Sequence, residues 1–281
     1  MTLVTTSSLI AAAVLNGRAV AAFNVITLEY AEAIAEGASR ARRGVVMQVS
    51  ENAVRFHRGE LRPLLAACRE VARANDVGVA LHLDHVENEA LAGTAITDAA
   101  DLGLSSIMLD ASRLPYSENL AMTARLGHRA QQADLWVEAE LGAVGGKDGA
   151  HAHGERTDPA EAAAFVATTG VDGLAVAVGS SHAMSERSAA LDVDLISKLA
   201  QAVPVPLVLH GSSGVSDAAL HEAVGAGIRK VNIGTALNLA GTGALRAALA
   251  TAPETFDPRP ATAAARDAMA DAVAHFVALV G

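Results

Sequence analysis

The chain has 281 residues, 51% of them hydrophobic, and a formal net charge of −10. It is too long for a minimal domain and apolar enough for one sizeable core; closed α/β barrels of this size usually form a single domain. The acidic balance argues against nucleic acid or an anionic membrane as a partner, so an anionic substrate must be met by a local site. The one cysteine, Cys68, lies with Leu64, Leu65 and Val71 in a helix-like stretch and reads as a small buried hydrophobe. It allows no disulfide within the chain, and neither a basic leader nor a run of about 20 apolar residues is seen. The expectation is a soluble, cytoplasmic protein.

A short apolar run, Leu9 to Leu15, ends at Asn16-Gly17. The first strand pattern is then Val20 to Val25, followed by a helical pattern from Leu28 to Arg42. Strands at Val45 to Val49 and Val79 to Leu83 alternate with helices at Leu61 to Ala74 and Asn88 to Leu102. Strands at Ser106 to Leu109 and Leu135 to Ala139 come next. A Gly-, His- and charge-rich stretch over 142–157 breaks the rhythm; it reads as a mobile lid or an insertion. After it come a helix at Pro159 to Thr168 and strands at Leu174 to Val178 and Pro206 to Leu209. A helix at Ser216 to Ala226 and a last strand at Lys230 to Ile233 follow. A Pro-rich segment, Pro253 to Pro260, precedes a final Ala-rich helix over 260–280. Asp158 and Ser216 are expected to cap helices, and Gly44, Gly78, Gly103, Gly170 and Gly227 fall near helix ends. Near-continuous apolar strands imply a parallel sheet buried on both faces. Eight βα units without a linker predict one domain over 1–281, a single (β/α)8 TIM barrel; a doubly wound sheet is the alternative with the same element order.

The polar residues concentrate at the carboxyl ends of these strands, where a parallel barrel builds its active site. Asn24 ends the first strand, Asp84 and His85 the third, Asp110 the fourth; Glu138 and Glu140 lie on the fifth. His182 follows the sixth, His210 to Gly214 the seventh, and Asn232 to Thr235 the eighth. Three histidines from separate strand ends, His85, His182 and His210, form a catalytic zinc pattern that leaves room for a substrate oxygen. His82 shares the face of Asp84 and is a supporting or packing residue. Asp84 could orient a histidine, ligate the ion or move a proton, or simply cap the next helix. The Gly- and Ser-rich turns, Gly211-Ser212-Ser213 and Asn232-Ile233-Gly234-Thr235, suit a phosphate through backbone N–H groups and hydroxyls. In the lid stretch, His151 and His153 are read as solvent-exposed rather than metal-binding.

These residues resemble one family, the class II fructose-bisphosphate and tagatose-bisphosphate aldolases. The likeness runs through Ala22-Phe23-Asn24-Val25, His82-Leu83-Asp84-His85, Met108 to Ser112, Val137 to Gly142, Gly145-Gly146 and Ala175 to Gly179. It continues in Leu209 to Gly214, Asn232 to Thr235 and Asp257-Pro258-Arg259. The resemblance implies zinc on His85, His182 and His210, with Asp110 and Glu140 as outer or alternative ligands. Asp84 would exchange the proton of the C4 hydroxyl of a phosphorylated ketose, which is cleaved or formed through a zinc-stabilised enediolate of dihydroxyacetone phosphate. Asn24, Ser50, Ala183, Gly211, Ser212, Ser213, Asn232, Ile233, Gly234 and Thr235 would contact substrate, and Arg259 would reach a second phosphate, across a subunit interface. A homodimer or homotetramer and a monovalent cation are also implied. The chain departs from the family at Ala183, where glycine is usual, at Val86, where several members are polar, and at Lys147-Asp148, where a lid glutamate is frequent. Asp148 would then do that glutamate's work, protonating the enediolate, on a shorter side chain. A zinc hydrolase, an aldolase acting on a different phosphorylated sugar or sugar acid, and a non-catalytic barrel are the rivals; the first usually carries His-x-His on strand one, where this chain has Phe23-Asn24-Val25.

Overall fold

The computed structural model describes residues 2–141, 156–181 and 187–281. Among them eight parallel strands close in sequence order into a barrel: β1 (Val20–Asn24), β2 (Val45–Ser50), β3 (Val79–Val86), β4 (Ser106–Leu109), β5 (Trp136–Leu141), β6 (Gly173–Val176), β7 (Leu207–Leu209) and β8 (Ile228–Ile233). β1 pairs with β8, which settles the choice against an open doubly wound sheet. Helix α1 (Thr6–Leu15) precedes the first strand; the outside is covered by α2 (Leu28–Ala41), α3 (Glu51–Phe56), α4 (Arg62–Ala74), α5 (Glu89–Thr97), α6 (Ala99–Leu102), α7 (Tyr116–Gln132), α8 (Pro159–Thr169), α9 (Val193–Ala202), α10 (Asp217–Ala226), α11 (Thr235–Thr251) and α12 (Arg259–Val280). None of the described helices is long and apolar enough to cross a membrane.

Alternation along the strands separates two cores. One set of side chains, including Phe23, Met47, Leu81, Leu83, Ile107 and Val231, packs outward under the helices. The other set fills the lower barrel: Val20, Ala22, Val46, Ala80, Met108, Trp136, Ala175 and Val208 pack with Ile10 and Ala13 of α1. Thus the apolar run near the N-terminus plugs the barrel floor. Trp136 fits there because Gly173 has no side chain; a Cβ would lie 2.3 Å from the indole.

Most element ends follow expected local chemistry. Asp158 accepts hydrogen bonds from the Ala160 and Glu161 amides, and Ser216 accepts one from Ala219. Gly103 and Gly170 close helices in the left-handed conformation. Gly44 and Gly78 do not: Arg42, at φ 55°, closes α2, Gly44 instead lets the start of β2 approach the Gly78 carbonyl, and Gly78 faces the Val4 side chain. The helix expected over Asn88 to Leu102 is divided at Asp98 into α5 and α6. Cys68 is buried, and burial pushes its thiol up to about 12.

Candidate metal centre and substrate cavity

Strand alternation would point Asp84 into the barrel and His85 away from it. The register of β3 against β4 shifts between Leu83 and Val86, and His85 sits at φ 50°. This bulge re-aims the ring, so that adjacent residues both serve the barrel mouth. His85 and His210 then meet edge to face, with ring centroids 4.8 Å apart. One ligand-capable atom from each of His85, Glu140 and His210 falls within 4.8 Å of the others.

Each of these imidazoles has a carboxylate behind it. His85 Nδ1 lies 2.7 Å from Asp110 Oδ2, and His210 Nε2 lies 2.9 Å from Glu138 Oε1. A carboxylate can only accept, so these bonds protonate the rear nitrogens and reserve His85 Nε2 and His210 Nδ1 for the cluster. His210 Nδ1 stands 3.4 Å from Glu140 Oε2. Asp110 is placed behind a histidine, whereas Glu140 is within the donor group itself. Two imidazoles and a carboxylate drawn together in this way suit zinc or a similar divalent ion. His182 and Ala183, and Asp148, His151 and His153 of the stretch expected to be a lid or an insertion, lie outside the described residues.

Asp84 is 1% exposed beside this cluster, with Oδ2 3.5 Å from Asn24 Nδ2 and 3.9 Å from His85 Nε2. Burial pushes its carboxyl up, but the His85 and His82 imidazoles and Lys230 outweigh this and hold it well below the usual carboxylate range. Burial also opposes ionised Glu138, which Lys230 and the His210 hydrogen bond hold at about 2. At His210, burial lowers the imidazole, yet hydrogen bonds to Glu138 and Glu140 push it up to about 9. Burial and the charge of Lys230 lower His82, whose Nδ1 meets Ser106 Oγ at 2.8 Å.

A cavity of about 610 Å³ opens above, with Asp84 and His85 in its wall. Asn24, Ser50, Gly211, Ser213, Asn232, Gly234 and Thr235 line it as well. Ser212 and Ile233 do not: Ser212 donates its hydroxyl to the Asn232 carbonyl, and Ile233 packs in the outer core. Gly211, at φ 65°, has no space for a side chain, because a Cβ would come within 2.5 Å of the Ser181 carbonyl oxygen. That contact presses the turn after β7 against the segment after β6. Arg259 is exposed, bidentate on Asp257, and does not line the cavity.

The family model described as "Fructose-bisphosphate aldolase class-II" matches residues 4–281, nearly the whole chain. The chain belongs to the class-II fructose-bisphosphate aldolase family. It is therefore an enzyme of the lyase class, acting on a carbon–carbon bond. The YdjI aldolase from Escherichia coli K12 is similar at 29% identity, over 99% of this chain and 97% of that one, with a TM-score of 0.83. A fructose-bisphosphate aldolase from Campylobacter jejuni superposes with a TM-score of 0.84 over 99% of this chain and 95% of its own; at 22% identity it speaks for the fold alone.

Sequence reasoning overlooked several residues of this aldolase's site. Gln48, Arg55, Arg113 and Asn238 also line the cavity. Lys230 is fully buried beneath it, with Nζ 2.8 Å from Glu138 Oε2 and 2.7 Å from Asn232 Oδ1. The available signal was a lysine two residues before Asn232 in an apolar strand, hence on the same inward face.

Proposed function

We propose that this aldolase cleaves or forms a phosphorylated ketose, with a configuration like that of fructose or tagatose 1,6-bisphosphate, at a single zinc ion. The observation that carries this reading is the convergence of His85, Glu140 and His210 donor atoms within 4.8 Å, next to a buried ionised Asp84. His85 and His210 would hold the ion with His182, and Glu140 would be an alternative ligand. When bound there, a divalent cation supplies Lewis-acid stabilisation of negative charge on a substrate oxygen.

The remaining work falls to the chain. Asp84 accepts the proton of the C4 hydroxyl while the C3–C4 bond breaks, and returns it in the reverse direction. The turns after β7 and β8 present Gly211, Ser213, Gly234 and Thr235 to the phosphate of dihydroxyacetone phosphate; α11 begins at Thr235 with its N-terminal amides at the cavity wall. Asn24, bridged by Gln48 Nε2 at 3.0 Å, orients the substrate beside Asp84. Asp148 donates the separate proton that the carbanion takes up. Two copies or four assemble so that Arg259 reaches the distal phosphate of a neighbouring site. A panel of ketose phosphates assayed with added zinc tests the reading. Release of dihydroxyacetone phosphate from at least one is expected; a panel left intact by zinc-loaded protein would refute it.

The His210 proton gives a second test. His210 must surrender a proton before Nδ1 can serve as a ligand, and the ring keeps that proton up to about pH 9. Zinc affinity should therefore rise roughly tenfold per pH unit as pH climbs from about 6 to 8, and flatten above the His210 value. Chelator-competition titrations measure this, and a pH-independent constant contradicts it.

A further inference from the structure

Lys230 makes no contact with substrate in the chemistry just described and bears on it only through its charge near Asp84, yet it is one of three lysines in the chain and is wholly buried. It does not line the cavity, so substrate cannot touch it. Its ammonium donates to Glu138 Oε2 and to Asn232 Oδ1. The other oxygen of Glu138 accepts from His210 Nε2. A buried ion pair contributes little to stability that well-packed apolar residues would not, so its presence under the site calls for another reason.

We infer that Lys230 is a positioning residue: by clamping Glu138 from below, it holds His210 with Nε2–H facing down and Nδ1 turned to the metal-binding cluster. The inference rests on the proposed metal site. Asn232 Nδ2 also approaches His210 Nε2, at 3.1 Å, and could donate to that nitrogen if it lacked a proton. With Glu138 fixed by Lys230 as an accept-only partner, the ring nitrogen must be the donor, and this competing arrangement is excluded. Lys230 also takes up the Asn232 carbonyl oxygen, which leaves the amide's N–H groups on the side of His210. The same ammonium thus sets the orientation of a metal ligand and of a cavity-wall amide.

The test compares wild type with Lys230→Met and with the double variant Glu138→Leu/Lys230→Met, which removes both charges together. Circular dichroism and thermal melting report folding. Cobalt(II) dissociation constants and the visible absorption of the cobalt-loaded proteins report the site. Folded Lys230→Met, which keeps Glu138, is expected to bind cobalt about 10- to 100-fold more weakly, with an altered absorption band, and the folded double variant likewise. A folded Lys230→Met with wild-type affinity and spectrum overturns the inference, as does such a double variant. Should neither variant fold, nitrogen NMR of zinc-loaded wild type with labelled histidine decides: a protonated Nε2 at His210 supports the inference, and an unprotonated one overturns it. Wild type that takes up no metal sinks the proposed site and this inference with it; normal wild-type uptake beside an unaffected double variant sinks the inference alone.

Discussion

Asp84→Asn is expected to lower turnover by at least about 10²-fold while zinc content stays at the wild-type level. The substitution keeps the shape of the side chain and removes its ability to accept a proton. Asp84 is placed for that role by neighbours that favour its charged form: the His85 and His82 imidazoles beside it and the charge of Lys230 outweigh the burial that pushes its carboxyl up. Its Oδ2 is 3.9 Å from His85 Nε2, and it is not one of the three clustered donors. Metal analysis alongside steady-state kinetics separates the two possible roles. A variant that has lost its zinc shows that Asp84 holds or orients the ion; a variant with full zinc and normal turnover shows that the proton goes elsewhere.

Exhaustive treatment with EDTA is expected to abolish cleavage, zinc to restore it, and borohydride added with substrate to leave the enzyme untrapped. The last outcome follows from where the amines are. Among the described residues Lys198 is exposed on α9, outside the barrel, and Lys230 is sealed beneath the cavity between Glu138 and Asn232. Neither can reach a substrate carbonyl in that arrangement, and Lys147 lies outside the described residues. Mass spectrometry after borohydride treatment measures the effect. A reduced adduct on Lys230 would show that the floor of the cavity opens and that a covalent imine mechanism replaces the metal one.

The barrel could be read from the chain because its strands are buried on both faces and interrupted by helical patterns, a signal that survives small errors at the ends. Those errors have local causes. β3 runs on to Val86, past the expected end at Leu83, because the bulge lets pairing with β4 resume. β6 stops at Val176, and Thr157 hydrogen-bonds the next residue, Ala177, through both its backbone and its hydroxyl. For the candidate site, the strand-end rule located Asp84, His85, Glu140 and His210. It could not say that Asp110 would stand behind His85, since that depends on the left-handed turn at a non-glycine residue. Nor could it pair Glu138 with Lys230, which are 92 positions apart and meet only when the sheet closes. Ser212 shows the opposite failure: a serine in the right turn, whose hydroxyl is already engaged by β8.

The donors drawn from β3, β5 and the end of β7 bear on endurance as well as chemistry. An ion bridging them would staple the rim of the barrel at points far apart in the chain, and the unfolded polypeptide offers no comparable grip. By mass action, free zinc at a hundred times its dissociation constant would add about 2.7 kcal/mol to the folded state. Scarcity of the ion would then loosen the mouth of the vessel at the same moment that it silences the reaction.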